Sequence, residues 1–148
     1  MSKHSLMKGK SGEREFCRKL SKLVGIDVLE RNLEQTRSGG DDLKVKADLE
    51  TEQEHDVIKH LDEFSIEIKR YRECNPSDIH HWWQQASEQA EKIGKNPLLA
   101  YRLDRQSWKC LVHIGDFETN DIRGCITMEI ELFAELLQNG FKNALSPE

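Results

Sequence analysis

Glu67 and Lys69 are the residues of this chain best placed to do chemistry. They stand two apart in Phe64-Ser65-Ile66-Glu67-Ile68-Lys69-Arg70-Tyr71, a run that alternates as a half-buried strand does. Successive strand side chains point to opposite faces, so Phe64, Ile66 and Ile68 share one face, and Glu67 and Lys69 share the other. The first face can dock on a core. The second presents a carboxylate and an ammonium on a rigid element. That pairing suits metal-assisted attack on a phosphodiester: the carboxylate holds a divalent cation, and the ammonium steers or activates water or neutralises developing charge. A salt-paired Glu and Lys on a solvated strand would read the same way, so the weight of the pair depends on its surroundings.

The elements that must position the pair can be read in order. Residues 1–10 read as a flexible basic arm. Ser11 can cap a helix over 12–24, with Phe16, Leu20, Leu23 and Val24 on its apolar side and Gly25 as its stop. A strand is expected over 26–33, then the polar turn Gln35-Thr36-Arg37-Ser38-Gly39-Gly40, then a second strand over 41–45. An acidic insertion, 48–63, holds a short helix around 52–61, and the Glu-Ile-Lys strand follows. Pro76 and Ser77 open a helix over 78–93 that Gly94 stops. Strands are expected over 98–103 and 108–114. Residues 125–148 read as a helical extension, with a short strand at Cys125-Ile126 and Thr127 capping a last helix over 128–139. The order is that of an α/β (α+β) chain with a mixed central sheet flanked by helices.

A length of 148 residues fits one domain with one core. No apolar run approaches membrane-spanning length, and the N-terminus lacks the apolar stretch of a secretory signal. Cys17, Cys74, Cys110 and Cys125 are far apart with no CxxC spacing, as in a reduced intracellular protein without a zinc site. The net charge of −5 is unevenly spread. Residues 1–22 carry a net of +5, and residues 41–63 a net of −6. The acidic excess is local, which leaves room for a basic surface and a nucleic-acid partner.

Three linked pieces are similar to the PD-(D/E)xK nuclease superfamily, and within it to the Holliday junction resolvase-like proteins and their phage and prophage relatives. Lys8-Gly9-Lys10-Ser11-Gly12-Glu13-Arg14-Glu15-Phe16 resembles the opening of the resolvase first helix, whose first Glu faces the active site. Arg37-Ser38-Gly39-Gly40-Asp41-Asp42-Leu43 resembles the turn that delivers the metal-binding Asp. Glu67-Ile68-Lys69 stands for the ExK of the third strand. The core order in that family, helix, three strands, helix, strand, covers residues 9–103 here, a restriction-endonuclease-like core.

The resemblance implies a site. Asp42, Glu67 and the backbone carbonyl of Ile68 would hold Mg²⁺, with Mn²⁺ as substitute. Asp48, in Lys46-Ala47-Asp48-Leu49, is a second candidate for the aspartate. Lys69 would lie beside the attacking water, and Glu13 would hold a second cation or a water of its shell. A Gln on the helix after ExK approaches the site in many members, and Gln85 is the natural match, with Gln89 behind it. Lys8, Lys10, Arg14, Arg37 and Arg70 are candidates for DNA phosphates. Trp82 and Trp83 read as core or dimer-interface residues, and His113 as a sheet residue. The expected protein is a metal-dependent DNA endonuclease that selects branched DNA. It would be phage or prophage encoded, act in the cytoplasm of the bacterial host cell without a membrane partner, and work as a homodimer, as two-fold junction symmetry demands. The alternative is a non-catalytic phage accessory protein on the same fold, binding nucleic acid or a host protein.

Overall fold

The computed structural model describes residues 3–27, 29–32, 42–45, 52–114 and 118–140; side chains of residues 3–10 and 52–55 lie outside the described set. Helix α1 (Lys3–Val24) leads into the short antiparallel pair β1 (Leu29–Arg31) and β2 (Leu43–Val45). Helix α2 (Glu52–Leu61), strand β3 (Phe64–Tyr71), helix α3 (Pro76–Ile93) and strand β4 (Asn96–Leu103) follow. Strand β5 (Lys109–His113), a 3₁₀ turn at Ile122–Gly124, strand β6 (Cys125–Glu129) and helix α4 (Ile130–Asn139) complete the order. Strands β3 to β6 form one sheet in chain order, with β3 parallel to β4 and the other pairs antiparallel. The sheet is mixed and the class is α/β, as expected.

The sheet has helices on both faces because β4 and β5 carry apolar residues on both. Phe64, Ile66, Ile68, Leu98, Ala100, Cys110 and Val112 pack in one buried cluster with Phe16 and Leu20 of α1, Val57 and Leu61 of α2, and Phe133 and Leu137 of α4. Leu99, Tyr101 and Leu111 belong to a second cluster with Trp82, Trp83 and Ala86 of α3. Both tryptophans are therefore core residues. Helix α3 is the crossover that lets β3 and β4 run parallel. Asn75 accepts from the Asp78 amide at 2.9 Å, Asp78 accepts from the Asn75 amide at 3.0 Å, and Pro76 fills the first turn. Gly94 ends it at φ 67°, where a side chain would be strained.

Several element boundaries differ from expectation. The basic segment through residue 10 is helical from Lys3, so Ser11 opens no helix. Gly9 and Ser11 lie inside α1; a single helical Gly costs only about 1 kcal/mol against Ala, which the buried stripe from Phe16 to Val24 outweighs. Within the acidic insertion, α2 buries Val57 and Leu61 in the main core. Thr127 caps no helix: Cys125–Glu129 pairs along β5, and α4 starts at Ile130. The 125–148 extension is thus a strand and a helix through Asn139, with 141–148 outside the described residues. No described helix is long and apolar enough to cross a membrane.

Candidate active site

The site forms where β2 meets β3. The Asp42 amide donates to Ile66 O at 2.9 Å, and Asp42 Oδ2 accepts from the Ile68 amide at 2.7 Å. Asp42 is thereby fixed, backbone and side chain, against the outer edge of β3. Both backbone groups of a strand residue face the same side, so the Ile68 carbonyl faces the Asp42 side, away from β4. Glu67 and Lys69 flank Ile68 on the α3 side of the sheet, with Lys69 Nζ 3.6 Å from Glu67 Oε1. The alternation read from the sequence places them there.

Glu13 approaches from α1. It does not stand alone: Arg31 of β1 donates from Nε to Glu13 Oε2 at 2.7 Å. The Asn32 amide donates to Asp42 O at 3.0 Å, which ties the end of β1 to the start of β2. Arg31 escaped the sequence reading. Its signal was slight, a lone arginine closing a short strand opposite the Gly-Gly-Asp-Asp turn.

The electrostatics couple these groups. Burial pushes the Glu67 carboxyl up to about 7; the Asp42 charge pushes the same way, Glu13 adds a little, and Lys69 opposes. Burial also raises Glu13, with the Arg31 hydrogen bond lowering it and Asp42 raising it. Three carboxyls thus sense one another around β3, with Lys69 and Arg31 as their cations.

Other candidates fall elsewhere. Gln85 is exposed on α3, and Gln89, one turn on, is half-buried; the structure brings neither into hydrogen bonding with the four site residues. Arg14 is exposed. Arg70 is turned away from solvent and ion-paired with Glu15 and Asp104. Asp48 and Arg37 lie outside the described residues, as do the side chains of Lys8 and Lys10. His113 sits in β5 with its Nε2 buried and unpartnered among the described residues.

The donor set tests the expected cation. Asp42, Glu67 and the Ile68 carbonyl offer only hard oxygens, the ligands Mg²⁺ prefers, and among the described residues no thiolate or imidazole joins them. Among the described residues no three His, Cys, Asp or Glu side chains close a cation site on their own. A cation here would complete its shell with water and substrate oxygens, as Mg²⁺ does at phosphate-processing sites.

The family model described as "Phage putative PDDEXK endonuclease" matches residues 4–137. The chain belongs to that family. The match spans every element from α1 to α4, including β6 and the last helix. The chain is also similar to Protein D14 of Escherichia phage T5, 27% identical over 66 residues, or 38% of this chain and 41% of that protein. It therefore spans about two fifths of that relative's length. Among solved structures it is similar to Hjc, a Holliday junction resolvase from Archaeoglobus fulgidus, at 16% identity and a TM-score of 0.44, covering 87% of this chain and 99% of that one.

Proposed function

We propose that this member of the phage endonuclease family is a Mg²⁺-dependent DNA endonuclease that hydrolyses phosphodiester bonds in branched DNA, acting as a homodimer in the host cytoplasm. The observation that carries the reading is the Asp42 carboxylate held on the Ile68 amide, beside Glu67 and Lys69. Asp42, Glu67 and the Ile68 carbonyl would hold the cation, which supplies Lewis-acid stabilisation of the phosphate and the leaving oxygen.

The chain's own groups divide the remaining work. Lys69 donates to the attacking water and places positive charge beside the phosphate. Glu67 is largely enclosed, so little bulk water competes for these contacts. Glu13 is oriented by Arg31 and faces the same space, where it can accept from a water. Arg31 in turn opposes the upward push that burial and the neighbouring Asp42 exert on the Glu13 carboxyl. Selection of a branched substrate would rest on shape and backbone charge rather than base edges.

The test is a cleavage panel of duplex, flap and four-way substrates with Mg²⁺ or Mn²⁺. Preferential cutting of the branched substrates is expected. Cutting of plain duplex alone would remove the structural selectivity, and no cutting of any substrate would leave a DNA- or protein-binding member of the fold.

A further inference from the structure

We propose that Arg70 and Glu15 are positioning residues that seat helix α1, and with it Glu13, against the strand bearing Glu67 and Lys69. The inference rests on the endonuclease reading above and gives Arg70 a role other than holding DNA.

Residue 12 has no room for a side chain. A Cβ there would stand 2.7 Å from Arg70 Cβ and 3.7 Å from Ile68 Cγ2, so the α1 backbone rests directly on the two residues that flank Lys69. Gly12 immediately precedes Glu13, so this contact sets the height of the Glu13 turn above β3. The charged ends of the same residues fix its direction. Arg70 Nε lies 3.7 Å from Glu15 Oε2, and Arg70 Nη1 donates to Asp104 Oδ1 at 2.7 Å and to Tyr71 O at 2.8 Å. Arg102 closes the set by donating to Glu15 Oε1.

Arg70 and Arg102 are direct partners in the parallel β3–β4 pair. Like charges so placed repel, and Glu15 and Asp104 offset that repulsion from the helix and the following turn. The Arg70 side chain is only 13% exposed. A guanidinium so enclosed and so engaged is poorly placed to hold a phosphate as well. Its fork instead links α1, β3 and the end of β4, on the side of β3 opposite Glu67 and Lys69.

The experiment compares Arg70→Gln, Glu15→Gln and the double variant on a substrate the wild type cuts. Each single change should lower kcat about 10- to 100-fold, the size of loss a displacement of about 1 Å can cause, with KM within about twofold. The double variant should be no worse than the worse single one, since both break one linkage. Metal-free DNA binding should keep its salt dependence. A slope reduced by about 0.9 in Arg70→Gln would make Arg70 a phosphate contact and overturn the proposal. A lowered melting temperature with unchanged kcat would reduce the cluster to a fold brace and overturn it too. Arg70→Lys, which keeps the charge without the fork, serves if Arg70→Gln does not fold, with the same expectations for kcat and KM. A wild type that cuts no DNA would sink the endonuclease reading instead, and hydrogen exchange then decides the seat alone. Faster exchange over residues 12–16 in Arg70→Gln sustains it; unaltered exchange overturns it.

Discussion

Two charge clusters meet at β3, one around its outer edge and one on the face beneath α1, and both draw on α1. Around the outer edge of β3, Glu13, Asp42 and Glu67 face Lys69 and Arg31, three acids to two bases. On the α1 side, Glu15 and Asp104 face Arg70 and Arg102, two of each. The balanced cluster joins neighbouring elements by mutual attraction and needs nothing further. The unbalanced one keeps an acid excess partly shut from water, an arrangement that costs stability and that a divalent cation would offset. One strand thus serves structure with Arg70 and chemistry with Lys69, one residue apart. Alternation of side chains is what keeps the two jobs separate.

The largest expected break in this comparison is chemical. Lys69→Ala and Glu67→Ala should each lower Mg²⁺-dependent cleavage by at least about 100-fold, the usual loss when a transition-state charge partner is removed. Far-ultraviolet circular dichroism should still show a folded chain, because neither side chain belongs to the buried apolar clusters. Undiminished cutting by either variant would move the chemistry away from β3.

The next effect is on stability and its pH dependence. Glu67 rises in the fold from 4.5 to about 7, through burial first, then Asp42 and Glu13, with Lys69 opposing. Between those values the folded chain binds more protons at this position than the unfolded chain. Its contribution to stability is therefore full near pH 4.5 and is lost as pH rises through 7. Without divalent cation, Glu67→Gln should be more stable than wild type above pH 7, by on the order of a few kcal/mol. The gap should close as pH falls toward 4.5. Denaturant titrations at pH 4.5, 6 and 8 in chelator read it directly; a gap that does not change with pH would mean that Glu67 ionises as freely in the fold as outside it.

Much of the first cluster was legible in the sequence, and little of the second. Glu67 and Lys69 follow from the period of β3, a local signal, whereas Asp42 rested on the resemblance of its Gly-Gly turn, with Asp48 as the other candidate. The bounds of α2 and the apolar stripe of α3 are local in the same sense. Arg31 was missed because its partner lies 18 residues away on another element, and strand periodicity says nothing about which helix side chain will meet it. Arg70 read as a DNA contact because a cation beside a candidate site is the simplest assignment. Its engagement with Glu15 and Asp104 depends on how α1 crosses the sheet. Strand β6 was read partly as helix since Thr127 and Met128 suit a helix start; pairing along β5 overrode that preference.

The smallest effect tests whether the two clusters share one seat. Gly12→Ala gains helix propensity worth about 1 kcal/mol. Against that, the new methyl must push on Arg70 Cβ, part of a strand rather than the free end of a side chain. Overpacking of this kind costs about 1–3 kcal/mol, so sterics should win narrowly and lower stability by about 1 kcal/mol. The exposed neighbour Ser11→Ala makes no such contact and should not be destabilised. Because the same shift lifts Glu13 from β3, Gly12→Ala should also lose cleavage, though less than Lys69→Ala. A Gly12→Ala chain about 1 kcal/mol more stable than wild type would mean that α1 does not rest on Arg70, and would separate the two clusters.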